Sequence, residues 1–370
     1  MYLALRDLRF AKGRFLLMGG VVALITLLLV LLSGLTAGLG NQSTSALAAL
    51  PADQIVFGAP AGDSAKASFT ESEVTRGQLS VWAAREGVAR AELLGISQSR
   101  FQAVGSAGTP SGTASVAVFG SEGPGGSGAA GLAPGPVAEG TVVIGASLAE
   151  ELGLQAGSRA TVGGTELTVS RVVPDQWYSH TGVVWTTLAD WRKLAHITGT
   201  DAAATVIAVT SDAGHNLDAD AANAAAGTVS TTRDGSFQAL GSYKSENGSL
   251  LLMQAFLYGI SALVIVAFLT VWTVQRTRDV AVLKALGGSS GYILKDAMIQ
   301  AAVVLLAGAL AGGAAGVAGG ILAGGAVPFL LSPQTILLPV VGIVVLGLAG
   351  AALAVRSITR VDPLLALGGN

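Results

Sequence analysis

The chain has 370 residues, of which 51% are hydrophobic and only 12% charged, and its mean hydropathy is +0.62, a balance no ordinary soluble domain needs. A net charge of -2 leaves no overall basic footprint and argues against nucleic acid as a partner. Cysteine is absent and histidine occurs 3 times, which excludes a disulfide framework, a thiolate nucleophile and zinc-ribbon or iron-sulfur sites.

This is the composition of a membrane protein. The start, "MYLALRDLRFAKGRF", places Leu5, Leu8 and Phe15 near helical spacing with Arg6, Arg9 and Lys12 between them. That pattern predicts a cytoplasmic amphipathic helix over 1–15, lying on the inner headgroups. A cleaved leader ending near "ALA" at 46–48 is the competing reading, but the apolar run exceeds the roughly 7–15 residues of a leader core. No charge falls between Arg14 and Asp53, between Glu246 and Arg276, or between Asp296 and Arg356. A span takes about 20 apolar residues at 1.5 Å each, so the first two gaps predict spans at 16–38 and 250–274. The third gap is too long for one helix and is interrupted by Pro328 and Pro333, which predicts spans at 297–327 and 336–355. Arg6, Arg9, Lys12 and Arg14 precede the first span, Arg276, Arg278, Lys284 and Lys295 follow the second, and Arg356 and Arg360 follow the fourth. Basic residues are retained inside. Both termini and the loop 276–296 are therefore expected in the cytoplasm, with residues 40–246 outside a cytoplasmic (inner) membrane.

The insert 40–246 reads as an extracytoplasmic α+β domain. "VAVFG" at 116–120 and "TVVIG" at 141–145 predict strands, "SLAEELGL" a short helix, and "RATVGGTELTVSRVV" a hairpin turning at Gly163 and Gly164. "TTLADWRKLAHI" at 186–197 predicts an amphipathic helix before the strand "TVIAVT", and residues 120–136 a mobile glycine-rich loop. The fold class expected is a membrane all-α four-helix domain with this α+β domain inserted.

Gly308, Gly312, Gly316, Gly320 and Gly324 recur every fourth residue of the third span, a spacing that lets helix backbones approach closely in lipid. It fits packing within one protomer and between two. On the second span Glu246, Leu250, Met253, Leu257, Ile260, Val264, Ala267 and Val271 form a stripe at coiled-coil spacing. Glu246 stands where this helix leaves the membrane and Met253 about two turns deeper. A ligand role for the pair competes with a dipole partner for the helix start and simple filler. His180, His196 and His215 have no metal-ligand spacing, and Tyr178 sits in an aromatic cluster that could touch a ligand or fill the domain. No G-x-x-x-x-G-K-[ST], G-x-S-x-G or HExxH is present. No catalytic residue, resident cofactor or protein-only metal site is expected, and no enzymatic activity on this chain.

The run Arg278, Asp279, Val280, Ala281, Val282, Leu283, Lys284, Ala285, Leu286, Gly287 resembles the signature of FtsX/MacB-type ABC transporter permeases. The tail "ITRVDPLLALGG", with Asp362, Pro363 and Leu367, is similar to that family's basic C-terminus, and the layout of one span, an external domain and three spans agrees. The resemblance implies a homodimer driven by two copies of a cytoplasmic ABC ATPase subunit, which holds the ATP and magnesium. The partner would dock on the coupling helix and loop 276–296 through Val280, Leu283 and Leu286, with Arg278, Asp279 and Lys284 setting register and Gly287 ending the helix. Within the family the short basic start and four-span plan look most like the haem-exporter permeases. That likeness implies haem as transported ligand, taken from membrane lipid into a slot between helices. Haem-binding candidates are Glu246 and Met253 for the iron, Leu250 beside them, Gly34 and Gly38 for the slot wall, and Asn41 and Gln42 for its mouth. Export of another amphiphile, such as a lipid, peptide or antibiotic, and relay of ATPase cycles to a cell-wall hydrolase stand as alternatives.

Overall fold

The computed structural model describes residues 12–60, 62–105, 110–122, 131–197, 202–275, 282 and 289–358. Its α-helices are α1 (Lys12–Ala48), α2 (Arg76–Ala83), α3 (Ala146–Leu152), α4 (Leu188–Leu194), α5 (Ala219–Ala226), α6 (Gly241–Gln275), α7 (Ser290–Ala323) and α8 (Pro333–Ile358). The chain divides into two compact units, Met1–Leu39 with Gly248–Asn370, and Gly40–Asn247.

The first unit is helical because lipid offers no partner to a free peptide group, so each apolar segment must satisfy its own backbone. Helices α1, α6, α7 and α8 are each long and apolar enough to cross a membrane. Helix α7 opens at Ser289, whose hydroxyl accepts the Tyr292 N–H at 3.3 Å. Helix α8 opens on a proline, which has no N–H to leave unpaired. The preceding Ser332 accepts the Thr335 N–H at 3.2 Å while Thr335 Oγ1 accepts the Ser332 N–H at 2.9 Å, a reciprocal cap. Met18, Val22 and Leu29 of α1, Ile265 and Leu269 of α6, Leu305 and Ala309 of α7 and Ile343 of α8 form the core of this unit. Helix α7 is the most enclosed of the four and α6 the least. Helix α7 ends at Ala323, four residues short of the expected span end, and residues 324–332 form the turn to α8. Helix α1 runs ten residues past the expected end at 38.

The second unit carries a 10-stranded sheet and a two-stranded one, β2 (Val74–Thr75) with β10 (Ala202–Ala204). In the large sheet β1 (Gln54–Phe57) lies between β12 (Val229–Thr232) and β11 (Val206–Ser211), and β11 pairs with β3 (Val88–Val104). From there β4 (Pro110–Ser121), β9 (Thr181–Thr187), β5 (Thr141–Gly145), β7 (Thr165–Val173) and β6 (Arg159–Val162) follow in order, and β6 returns to β3. Those last pairings close a ring of strands β3, β4, β9, β5, β7 and β6, which leaves no open edge between them. Both faces are buried. Val116, Val118, Val142, Ile144 and Val184 point into one core with Trp82, Leu188 and Trp191 of the helices, whereas Ala117, Phe119, Val143, Val183 and Trp185 point into another with Ala46 and Leu47 of α1. This is the period of two expected of a strand, with apolar residues at both phases.

The expected helix at 186–197 is shorter, because Thr186 and Thr187 belong to β9 and Thr187 caps α4 by accepting the Asp190 N–H at 3.1 Å. Trp191 then lies over Gly95 and Gly120, where any Cβ would overlap the indole or its own Cβ, and donates from Nε1 to Ser97 Oγ at 3.0 Å. Of the expected mobile loop 120–136, Gly120 and Ser121 are in β4, and Leu132 is buried in the second core; residues 123–130 lie outside the described residues.

Asp190 ties three elements together. Its Oδ2 accepts the Gly140 N–H at 2.8 Å and the Thr187 hydroxyl at 2.9 Å, and its Oδ1 faces Lys193 Nζ at 2.9 Å. Burial would raise its pKa, but the hydrogen bonds from Lys193, Gly140 and Thr187 outweigh that and hold it below the usual value. A depressed carboxylate stabilises the fold above its unfolded pKa, near 3.9, and that contribution is lost as pH falls through the folded value. Asp190→Asn is therefore expected to lower the melting temperature of the full chain at neutral pH, by a loss of about 1–3 kcal/mol. The gap to the parent should narrow below about pH 4. Tryptophan fluorescence melts at several pH values check this.

Candidate functional site

The positions expected to meet a driving subunit, Arg278, Asp279, Val280, Leu283, Lys284, Leu286 and Gly287, lie outside the described residues, as do the start of the expected helix 1–15 and residues 359–370 of the tail. Val282, within that motif, is helical and 46% exposed.

The glycine row of α7 faces α1 of the same chain. A Cβ at Gly308 would lie 2.7 Å from the Gly19 carbonyl oxygen, one at Gly312 would overlap the Ala23 carbonyl, and one at Gly316 would lie 2.8 Å from Val30 Cγ1. Close backbone approach is what such spacing permits. Gly320 instead receives the ring of Phe329, and Gly324 meets only its own helix.

Gly34 and Gly38, expected as an open slot wall, are covered from within the chain. The Phe329 ring fills the space beside Gly34, the Pro328 carbonyl fills that beside Gly38, and the Leu330 N–H donates to the Gly34 carbonyl at 3.1 Å. The physical reason is the α7–α8 turn, whose aromatic side chain seats in a notch that Gly34 and Gly320 leave without side chains while its backbone lies against Gly38. Near it Gln254 of α6 donates from Nε2 to Thr36 Oγ1 of α1 at 2.9 Å, a polar tie between two apolar helices that charge counting overlooks.

Asn41 and Gln42, expected at the mouth of the slot, lie within helix α1. Asn41 is exposed, and the Gln42 carbonyl accepts the His180 N–H at 3.0 Å. Glu246 stands on α6 with its Oε2 at 2.9 Å from His180 Nε2, which also lies 3.1 Å from Ser43 Oγ. Leu250 is half-buried and Met253 is 55% exposed, on a face with Leu252, Phe256, Ile260 and Leu263 that no other described residue covers. His180 is the partner of Glu246 that sequence reasoning did not pair with it. It stands 66 positions before Glu246, so no local spacing reveals the pair. Tyr178 fills the domain: its ring meets Phe69 edge-on at 5.8 Å and Phe119 at 5.4 Å. Burial pushes its hydroxyl well above the usual phenol range, so it stays neutral.

Residues 251–363 match the family described as FtsX-like permease C-terminal. This stretch is an FtsX-like permease domain. It takes in most of α6, all of α7 and α8, and the basic segment between α6 and α7. Among named relatives, a putative hemin transport system permease protein HrtB of Staphylococcus epidermidis is 28% identical over 144 residues, 39% of this chain and 41% of that protein. The protein of the same name in Staphylococcus haemolyticus is 31% identical over 130 residues, 35% of this chain and 37% of its own length. The chain thus spans about two fifths of the length of the curated relatives it matches. The periplasmic region of MacB from Actinobacillus actinomycetemcomitans aligns over 51% of this chain and 92% of its own, at 10% identity and a TM-score of 0.35.

Proposed function

We propose that this chain is the permease subunit of an ABC efflux pump that takes haem from the cytoplasmic membrane and expels it outward. A separate cytoplasmic ATPase subunit, in two copies on a homodimeric permease, supplies the energy. The observation that carries this reading is the FtsX-like domain at 251–363, together with the likeness to relatives named as putative hemin transport permeases. Both termini and the segment 276–296 lie inside, by the distribution of Lys and Arg, and the Gly40–Asn247 unit lies outside.

Haem is a flat apolar ring with two propionates and an iron that accepts thioether, imidazole or carboxylate ligands. It partitions into lipid, so a lateral site on a membrane helix suits it. The uncovered face of α6 around Met253 offers apolar surface and one soft donor atom. Glu246 is the second candidate, and to ligate iron it must give up His180. Gly34 and Gly38 become a wall only where Phe329 withdraws from them.

Met253→Ala and Glu246→Ala are each expected to weaken haem binding by about tenfold or more, the scale of one lost ligand or hydrogen-bonded charge, and to shift the Soret band. Absorption titration of the purified chain reads both. Unchanged band position and affinity in both variants would remove these residues from the site.

A further inference from the structure

Strands β8 (Trp177–Tyr178) and β9 form a hairpin whose two-residue corner is Ser179–His180, with Tyr178 paired to Thr181. Both corner residues have positive φ, 49° and 63°. A two-residue hairpin of this kind favours Asn-Gly, and a serine and a histidine held there are strained. Such strain persists only where surrounding contacts hold it.

Those contacts reach two helices, and they differ in kind. Toward α1 they are made chiefly by backbone N–H groups: the Ser179 N–H donates to the Ser43 carbonyl at 3.0 Å, the His180 N–H to the Gln42 carbonyl at 3.0 Å, and the Trp177 N–H to Ser45 Oγ at 2.9 Å, with His180 Nε2 also 3.1 Å from Ser43 Oγ. Toward α6 they are made by side chains only, Ser179 Oγ to Ser242 Oγ at 3.1 Å and His180 Nε2 to Glu246 Oε2 at 2.9 Å. The His180 and Glu246 side chains are 35% and 33% exposed, whereas Ser43 is buried. Water can replace the α6 contacts as they break, whereas the contacts on buried Ser43 lie out of its reach.

We propose that the Ser179–His180 corner is a one-sided latch: it stays seated on the end of α1 and releases the start of α6. Helix α6 would then swing or fray at its start without unfolding the sheet. The inference goes beyond the transport reading and does not depend on what is carried.

Hydrogen exchange of the full chain in lipid nanodiscs, with no ligand added, tests it. His180→Asn keeps a residue that tolerates positive φ while removing the imidazole, and Glu246→Gln removes the charge from the other side. In each variant the amides of 244–250 are expected to exchange about fivefold faster, the scale of one lost hydrogen bond. Those of 40–48 and 177–183 are expected to stay as in the parent. In this cysteine-free chain, a disulfide between Ser179→Cys and Ser242→Cys in the His180→Asn background should restore slow exchange at 244–250. Unchanged exchange at 244–250, acceleration shared with 40–48 or 177–183, or no restoration by the disulfide would overturn the latch.

Discussion

Gly312→Val is expected to destabilise the membrane-embedded unit strongly. At that position a side chain would overlap the Ala23 carbonyl of α1, a backbone atom that cannot rotate away as a side chain can. Overpacking costs roughly 1–3 kcal/mol and more when the backbone itself must shift. For a chain of this size, that lowers the melting temperature by about 2–4 °C per kcal/mol. Gly259→Val on α6, where nothing lies within 4 Å, is the matched control and is expected to have no such effect. Melts in detergent followed by tryptophan fluorescence compare the two. Equal behaviour of the two variants would contradict the close α1–α7 seam.

The second large effect is expected at the segment between α6 and α7. Leu283→Asp places a charge where the docking reading needs an apolar anchor, and losing one buried anchor of an interface costs about 2 kcal/mol or more. Stimulation of the co-purified ATPase should fall by roughly thirtyfold, while the melt of the permease itself is expected to stay as in the parent. The turnover of the complex reads this directly. Full stimulation with Leu283→Asp would place the docking surface elsewhere.

The four membrane helices were legible because hydrocarbon excludes charge, so three uncharged gaps mark where they must be. Their ends were less legible. Helix α1 continues through Asn41, Gln42 and Ser43 to Ala48, polar residues placed beyond the expected span. In the structure Thr44 returns its hydroxyl to the Gly40 carbonyl at 2.8 Å, and Ala46 and Leu47 are buried in the sheet core. Short strands such as 116–120 and 141–145 were legible from apolar runs, yet the ring they join was not. The pairing of β6 with β3 and the parallel pairing of β4 with β9 bring together segments distant in sequence, and local pattern carries no record of register between such segments. The glycine row of α7 announced close packing without naming its partner, and only the structure places α1 there. Glu246 was singled out for its place on the helix, while its contact with His180 depends on a hairpin corner whose unusual φ values no composition rule predicts.

The most direct test of the transport reading is a haem titration of the detergent-purified permease, followed by ATPase assays of the permease reconstituted with its ATPase subunit. The account predicts a saturable Soret shift in the permease alone and faster ATP hydrolysis by the pair when haem is present. A flat titration together with haem-independent hydrolysis would contradict haem as the cargo and favour another amphiphile or a role in signalling.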